Sequence, residues 1–131
     1  MNLEQRLVAD LRRDPGVWTS QVLQRVAAEV PDLVRDDVAV DLATSSTAGL
    51  LEGFSEVLDA GALPTGIHAP VSALGFARHL ARTSTSIVGL LRSYRLGQEV
   101  LFERAAALAD SGDLDGLHRV GVLTFRFVDA V

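Results

Sequence analysis

The segment from Thr85 to Leu108, centred on LLRSYRLGQEVLF, constrains the fold most, because it carries the longest unbroken helical period in the chain. At about 100° per residue from Ile87, Ile87, Leu90, Leu91, Tyr94, Leu101, Ala105 and Leu108 share one stripe. A second seam of small and apolar residues, Gly89, Ser93, Leu96, Val100 and Ala107, runs roughly opposite. A helix that is apolar on two sides sits in the middle of a bundle or against a partner chain, so this helix is expected to be the most buried. Gln98 falls within the first stripe, and a buried amide needs hydrogen-bond partners. A bond to a neighbouring helix is the expected role and a ligand contact the alternative. Arg95, at the edge of that stripe beside Leu91 and Phe102, can pack its stem and keep its head in water, or pair with a carboxylate.

The rest of the chain also reads as helices separated by clear punctuation. Residues 2–13 place Leu3, Leu7 and Leu11 on one stripe, and Asp14-Pro15-Gly16 breaks the pattern. A second helix is expected from about Val17 to Val30, aligning Trp18, Val22, Val26 and Val30, and Pro31 ends it. One loose turn over Asp32 to Arg35 leads to Asp36 or Asp37, either of which can cap a long third helix reaching Ala60. That helix has the run ATSSTAG from Ala43 to Gly49, where strong helix formers are expected. Such small residues allow close helix packing, the commoner reading, or line a cavity. Gly61 suits a C-cap, and Gly61 to Pro70, with its prolines and glycines, is the clearest loop. Pro70 suits the start of a fourth helix to about Arg82, with Leu74, Phe76, Ala77 and Leu80 apolar. Thr83 to Ser86 offer caps for the central helix. After Asp110-Ser111-Gly112-Asp113, a last helix carries two apolar stripes: Leu114, Leu117, Gly121, Phe125 and Val128 on one, Val120, Leu123, Phe127 and Val131 on the other. Strand signals are weak, so a single all-α bundle of five to six helices is expected.

With 131 residues the chain suffices for one domain with its own core. No run approaches the roughly 20 apolar residues of a membrane span, and the N-terminus alternates charged and apolar residues unlike a signal peptide. Cysteine is absent, which excludes disulfides and thiolate metal sites. The composition fits a bacterial cytoplasmic protein. A net charge of -5 lacks the basic footprint of direct nucleic-acid contact. Residues 70–104 are basic, with 5 arginines against 2 acids, while residues 1–69 hold 5 against 11. That contrast predicts pairing within the fold or across a dimer.

No sequence signature of catalysis is present: there is no phosphate loop, no HExxH and no nucleophile elbow. His68, His79 and His118 lie far apart, and none is followed by another ligand type at i+3 or i+4. No enzymatic activity, metal or cofactor is therefore expected. Acidic pairs such as Asp36 and Asp37 read as caps.

The run FARHLARTSTSIVGLLRSYRLGQEVLFE, Phe76 to Glu103, resembles the N-terminal helical domain of PucR-type (purine-catabolism-regulator-like) transcription regulators of actinobacteria, in which a run of the form AR-LAR-G…L-RAYR-GQ joins two helices. The resemblance extends to VAAEVPDL, Val26 to Leu33, and LTFRFVDAV, Leu123 to Val131, and is most specific at Tyr94, Arg95, Leu96, Gly97 and Gln98. The related stressosome co-antagonist (RsbR/RsbRD-type) N-terminal domains are globin-like without haem. Two departures from the pattern are the hydroxyl-rich turn Thr83 to Ser86 and the run Thr44 to Thr47. The resemblance implies a non-catalytic sensory or dimerising module that regulates a C-terminal helix-turn-helix in the same chain. On that reading residues 1–131 are the N-terminal part of a longer regulator, with Tyr94, Arg95, Gly97 and Gln98 as structural or ligand-contact residues. A homodimer is expected, because one chain of this size does not bury both stripes of the last helix. A small-molecule effector fits the same reading, without membrane or direct nucleic-acid contact. The alternative is a standalone small-molecule- or haem-binding helical protein.

Overall fold

The computed structural model describes residues 1–83 and 87–130, and these form six α-helices, one short 3-10 turn and no strand. Helix α1 (Leu3–Arg13) opens with a capping box: the Asn2 side chain accepts from the Gln5 backbone N–H at 2.8 Å, and the Gln5 side chain accepts from the Asn2 N–H at 2.9 Å. One residue, Asp14, separates it from α2 (Pro15–Glu29), with proline in the first turn where its missing N–H costs nothing. The turn Pro31–Val34 follows, then α3 (Asp37–Ala60), capped by the Asp36 carboxylate and closed by Gly61 in the left-handed conformation at φ 77°. After the loop come α4 (Val71–Arg82), α5 (Ile87–Leu108) and α6 (Leu114–Ala130). The proposed caps Ser84, Thr85 and Ser86, and Val131 of the last stripe, lie outside the described residues.

The core runs through every helix. Leu3, Leu7 and Leu11 of α1 meet Trp18, Val22 and Val26 of α2, Phe54, Val57 and Leu58 of α3, and Val120 and Phe127 of α6. The rings of Phe54 and Phe127 lie 5.5 Å apart at a tilted 52°, a favourable edge-to-face geometry. Helix α3, not α5, is the hub. It touches α1, α2, α4, α6 and the 3-10 turn, and it buries eight residues against four for α5. Its small residues make this possible. At Gly49 an added Cβ would stand 2.6 Å from Ser72 Oγ and 3.4 Å from Pro70 Cβ, so the start of α4 closes directly on the α3 backbone.

The expectation that α5 is the most buried helix is thus corrected. Its two apolar seams are not opposite faces but the two edges of one broad face. Leu96 and Val100 line one edge and Leu101 and Ala105 the other, all buried. Between those edges lie the half-buried Gly97 and Arg104, the latter exposed but reaching Asp10, and neither registers as hydrophobic in sequence. The first stripe instead runs off the core at its start, where Ile87 is 69% and Leu91 52% exposed. Leu74 of α4 also lies outside, while Ala73, Phe76 and Leu80 are buried. On α6, Val120, Leu123 and Phe127 form the core stripe, and Leu114 and Phe125 of the other stripe stand 78% and 66% exposed.

The charge contrast is realised as cross-helix pairs. Arg92 donates to Glu29 at 3.0 Å, and Arg104 donates to Asp10 through Nε at 3.0 Å and Nη2 at 3.3 Å. Arg25 of the acidic flank reaches the other way, to Glu103 at 2.9 Å and Glu99 at 3.2 Å. Among the described residues no helix is long and apolar enough to cross a membrane.

Candidate functional site: an apolar cavity under the Tyr94–Gln98 motif

A partly open cavity of about 70 Å3 lies where α2, α3, α4, α5 and α6 converge. Its walls are apolar: Val22 and Val26 from α2, Leu51 and Phe54 from α3, Phe76 from α4, Leu101 from α5 and Phe127 from α6. Polar side chains enter from two helices. Ser46 and Thr47 come from the hydroxyl run of α3, and Ser93, Tyr94 and Gln98 from α5. No charged residue lines it.

The motif residues divide cleanly. Tyr94, Gly97 and Gln98 line the cavity, Tyr94 and Gln98 being one turn apart and so on one face. Arg95 points elsewhere, exposed and without an ion pair to any described residue. The expected helix–helix hydrogen bond of Gln98 is absent: its amide bonds to no described residue, and neither does the Tyr94 hydroxyl. Burial raises the Tyr94 phenol above its ordinary pKa, so it is a neutral donor at physiological pH.

The hydroxyls of α3 behave in two ways. Two buried helix hydroxyls bond back to the carbonyl four residues earlier, Ser55 to Leu51 at 3.0 Å and Thr124 of α6 to Val120 at 2.7 Å. Ser46, only 3% exposed, and Thr47 make no such bond. Nor is the Ser46 oxygen sealed off, for the one enclosed and unpartnered side-chain atom among the described residues is Arg6 Nε. The space that Ser46 opens on is the cavity it lines. Both sequence readings of the Ala43–Gly49 run therefore hold at different residues: Ala43, Ser46 and Thr47 line the cavity, and Gly49 serves close packing.

Gly97 interrupts the interior of α5, where glycine costs about 0.5–1 kcal/mol relative to alanine. Nothing sterically requires it, since a Cβ there would meet only Val22 Cγ1, at 3.8 Å. Gly97→Ala is therefore expected to raise stability by about 0.5–1 kcal/mol in urea denaturation. A loss would mean that the space at Gly97 is needed by the fold itself.

The remaining sequence candidates are dispersed. None of His68, His79 and His118 lines this cavity. No group of three or more His, Cys, Asp or Glu among the described residues could hold a metal ion. The apolar walls come from helices far apart in sequence and were not identifiable as a set. The hydroxyl run of α3 was the one local signal.

A family model described as the RsbT co-antagonist protein rsbRD N-terminal domain matches residues 17–131. No curated protein and no solved structure matches the chain. The match begins at the first turn of α2 and takes in all the helices that enclose the cavity. The match includes the motif residues Tyr94, Arg95, Gly97 and Gln98, and the chain belongs to the family of RsbRD-type RsbT co-antagonist N-terminal domains.

Proposed function

We propose that this chain is the non-catalytic sensory and dimerising domain at the N-terminus of a cytoplasmic bacterial regulator, its output being DNA binding by a C-terminal helix-turn-helix of the same protein. The observation that carries the sensory part is the family match, since the family is by description the N-terminal domain of a co-antagonist, a regulatory protein. The cavity supplies a place where a signal can enter. The resemblance of Phe76 to Glu103 to PucR-type regulators supports the DNA-binding output.

The outward stripe of α6 supports dimerisation. Leu114, Leu117 and Phe125 form an open apolar groove with Phe102 of α5, and Asp115 and Arg126 flank it at opposite ends. A two-fold axis crossing the middle of α6 sets Asp115 of one copy against Arg126 of the other, which makes the surface self-complementary. Burying a few hundred Å2 of such surface at roughly 25 cal/mol per Å2 favours association, less the cost of lost rotational freedom. A standalone binding protein needs the cavity but not this face, which favours the regulator.

The expected mass by light scattering is twice the 14.0 kDa of one chain. Phe125→Arg, at an exposed position outside the core, is expected to give a folded monomer with unchanged helicity. A wild-type protein that stays monomeric at high concentration would remove the dimer from this reading.

A further inference from the structure

We propose that the cavity binds a small neutral molecule with a short apolar body and one hydrogen-bonding head, the class of short-chain amides, alcohols and ketones. This names the ligand class of the sensory site proposed above and rests on that reading for its purpose only. The size comes first. About 70 Å3 is roughly half of an apolar cavity known to admit benzene, so the occupant is a molecule of a few heavy atoms. The chemistry of the walls comes second. With no charged side chain in the lining, a carboxylate or an ammonium would be stripped of water with no counter-charge. The polar groups come third. Ser46, Thr47, Tyr94 and Gln98 line one cavity, and none of their side chains is bonded to a described residue. Hydroxyls and an amide left free beside an otherwise apolar wall can offer a donor or an acceptor to a single neutral head group. Gly97, set between Tyr94 and Gln98, keeps the space open where alanine would fit and partly fill it.

Acetamide and acetate separate this from indiscriminate uptake, each having four heavy atoms and nearly the same shape and differing in charge. Each is titrated into the 131-residue protein while methyl resonances are followed by NMR. The expected result is saturable shifts of the Val22, Val26 and Leu101 methyls with acetamide and none with acetate. Gln98→Leu, which keeps bulk and removes the amide, is expected to weaken acetamide about ten-fold, the equivalent of one lost hydrogen bond. Gly97→Ala, which folds at least as well as the parent, is expected to weaken it similarly by occupying the space. Absence of saturation, an equal response to acetate, shifts confined to the surface, or unchanged binding in Gly97→Ala would each overturn the site. Those outcomes leave the dimeric regulator reading intact. Binding without any effect on the output of the full regulator would instead defeat the sensory reading and leave the site standing.

Discussion

Phe54→Ala is expected to lower the free energy of unfolding by about 3–5 kcal/mol, the usual cost of removing a fully buried aromatic ring. Phe54 is 0% exposed, packs at a tilt against Phe127 and stands in the wall of the cavity. That last feature places the effect at the upper end. The space left by the ring joins a void already present, and neighbouring side chains can collapse into it only in part. The corresponding fall in Tm is about 10–20 °C for a domain of this size. Phe54→Leu, which keeps most of the volume, is expected to lose less than half as much. Urea and thermal denaturation of the three proteins check both figures, and a loss below about 1 kcal/mol for Phe54→Ala would contradict the packing described.

Asp10→Ala is expected to cost about 2–4 kcal/mol at neutral pH, although it changes only one side chain of a short helix near the N-terminus. The Asp10 carboxylate is buried and accepts from the Trp18 indole at 3.1 Å, from Arg104 of α5 and from Arg13. It therefore ties α1 to α2 and α5. Its loss leaves the Trp18 N–H buried without a partner, whereas the more exposed Arg104 regains water. The Arg104 hydrogen bond, against the opposing effect of burial, holds the Asp10 carboxyl below its ordinary pKa of 3.8, with Arg13 and Trp18 adding to the same effect. A carboxyl whose pKa is depressed on folding binds its proton more readily in the unfolded chain. Its contribution to stability is therefore complete above the unfolded value and is lost as pH falls through the folded one. The difference between wild type and Asp10→Ala should thus be constant from neutral pH down to about 5 and shrink below about 4. A difference independent of pH down to 2.5 would show that the charge plays no part.

Helix boundaries were legible because the chain marks them with residues whose backbone demands are local. Asp14-Pro15, Pro31, Asp36, Gly61 and Pro70 each stop or start an element within a residue or two of the expected place. The order of burial was not legible in the same way. In α5 the positions between the buried edges are Gly97 and Arg104, not apolar residues. The strongly apolar Ile87, Val88 and Leu91 lie off that face, each more than half exposed. Periodicity weighs side chains one at a time, and it cannot know that the Arg104 guanidinium will reach Asp10 of α1. The cavity was half legible. Tyr94, Gly97 and Gln98 stood out through the motif and Ser46 and Thr47 through an anomalous helix composition, but their meeting across two helices is a long-range property that neither segment encodes alone.

The segment shared with the family and the segment that folds do not coincide. The match starts at residue 17, beyond α1. Yet Leu3 and Leu7 are wholly enclosed, Leu11 nearly so, and Asp10 fastens two other helices. A domain cut at the boundary of recognisable similarity would open a trench along α3 and α6 and leave the Trp18 indole without its acceptor. The matched segment is smaller than the unit that packs together. Moving this domain into another protein would have to carry the first helix along, since that helix is internal to the fold although it lies outside the match.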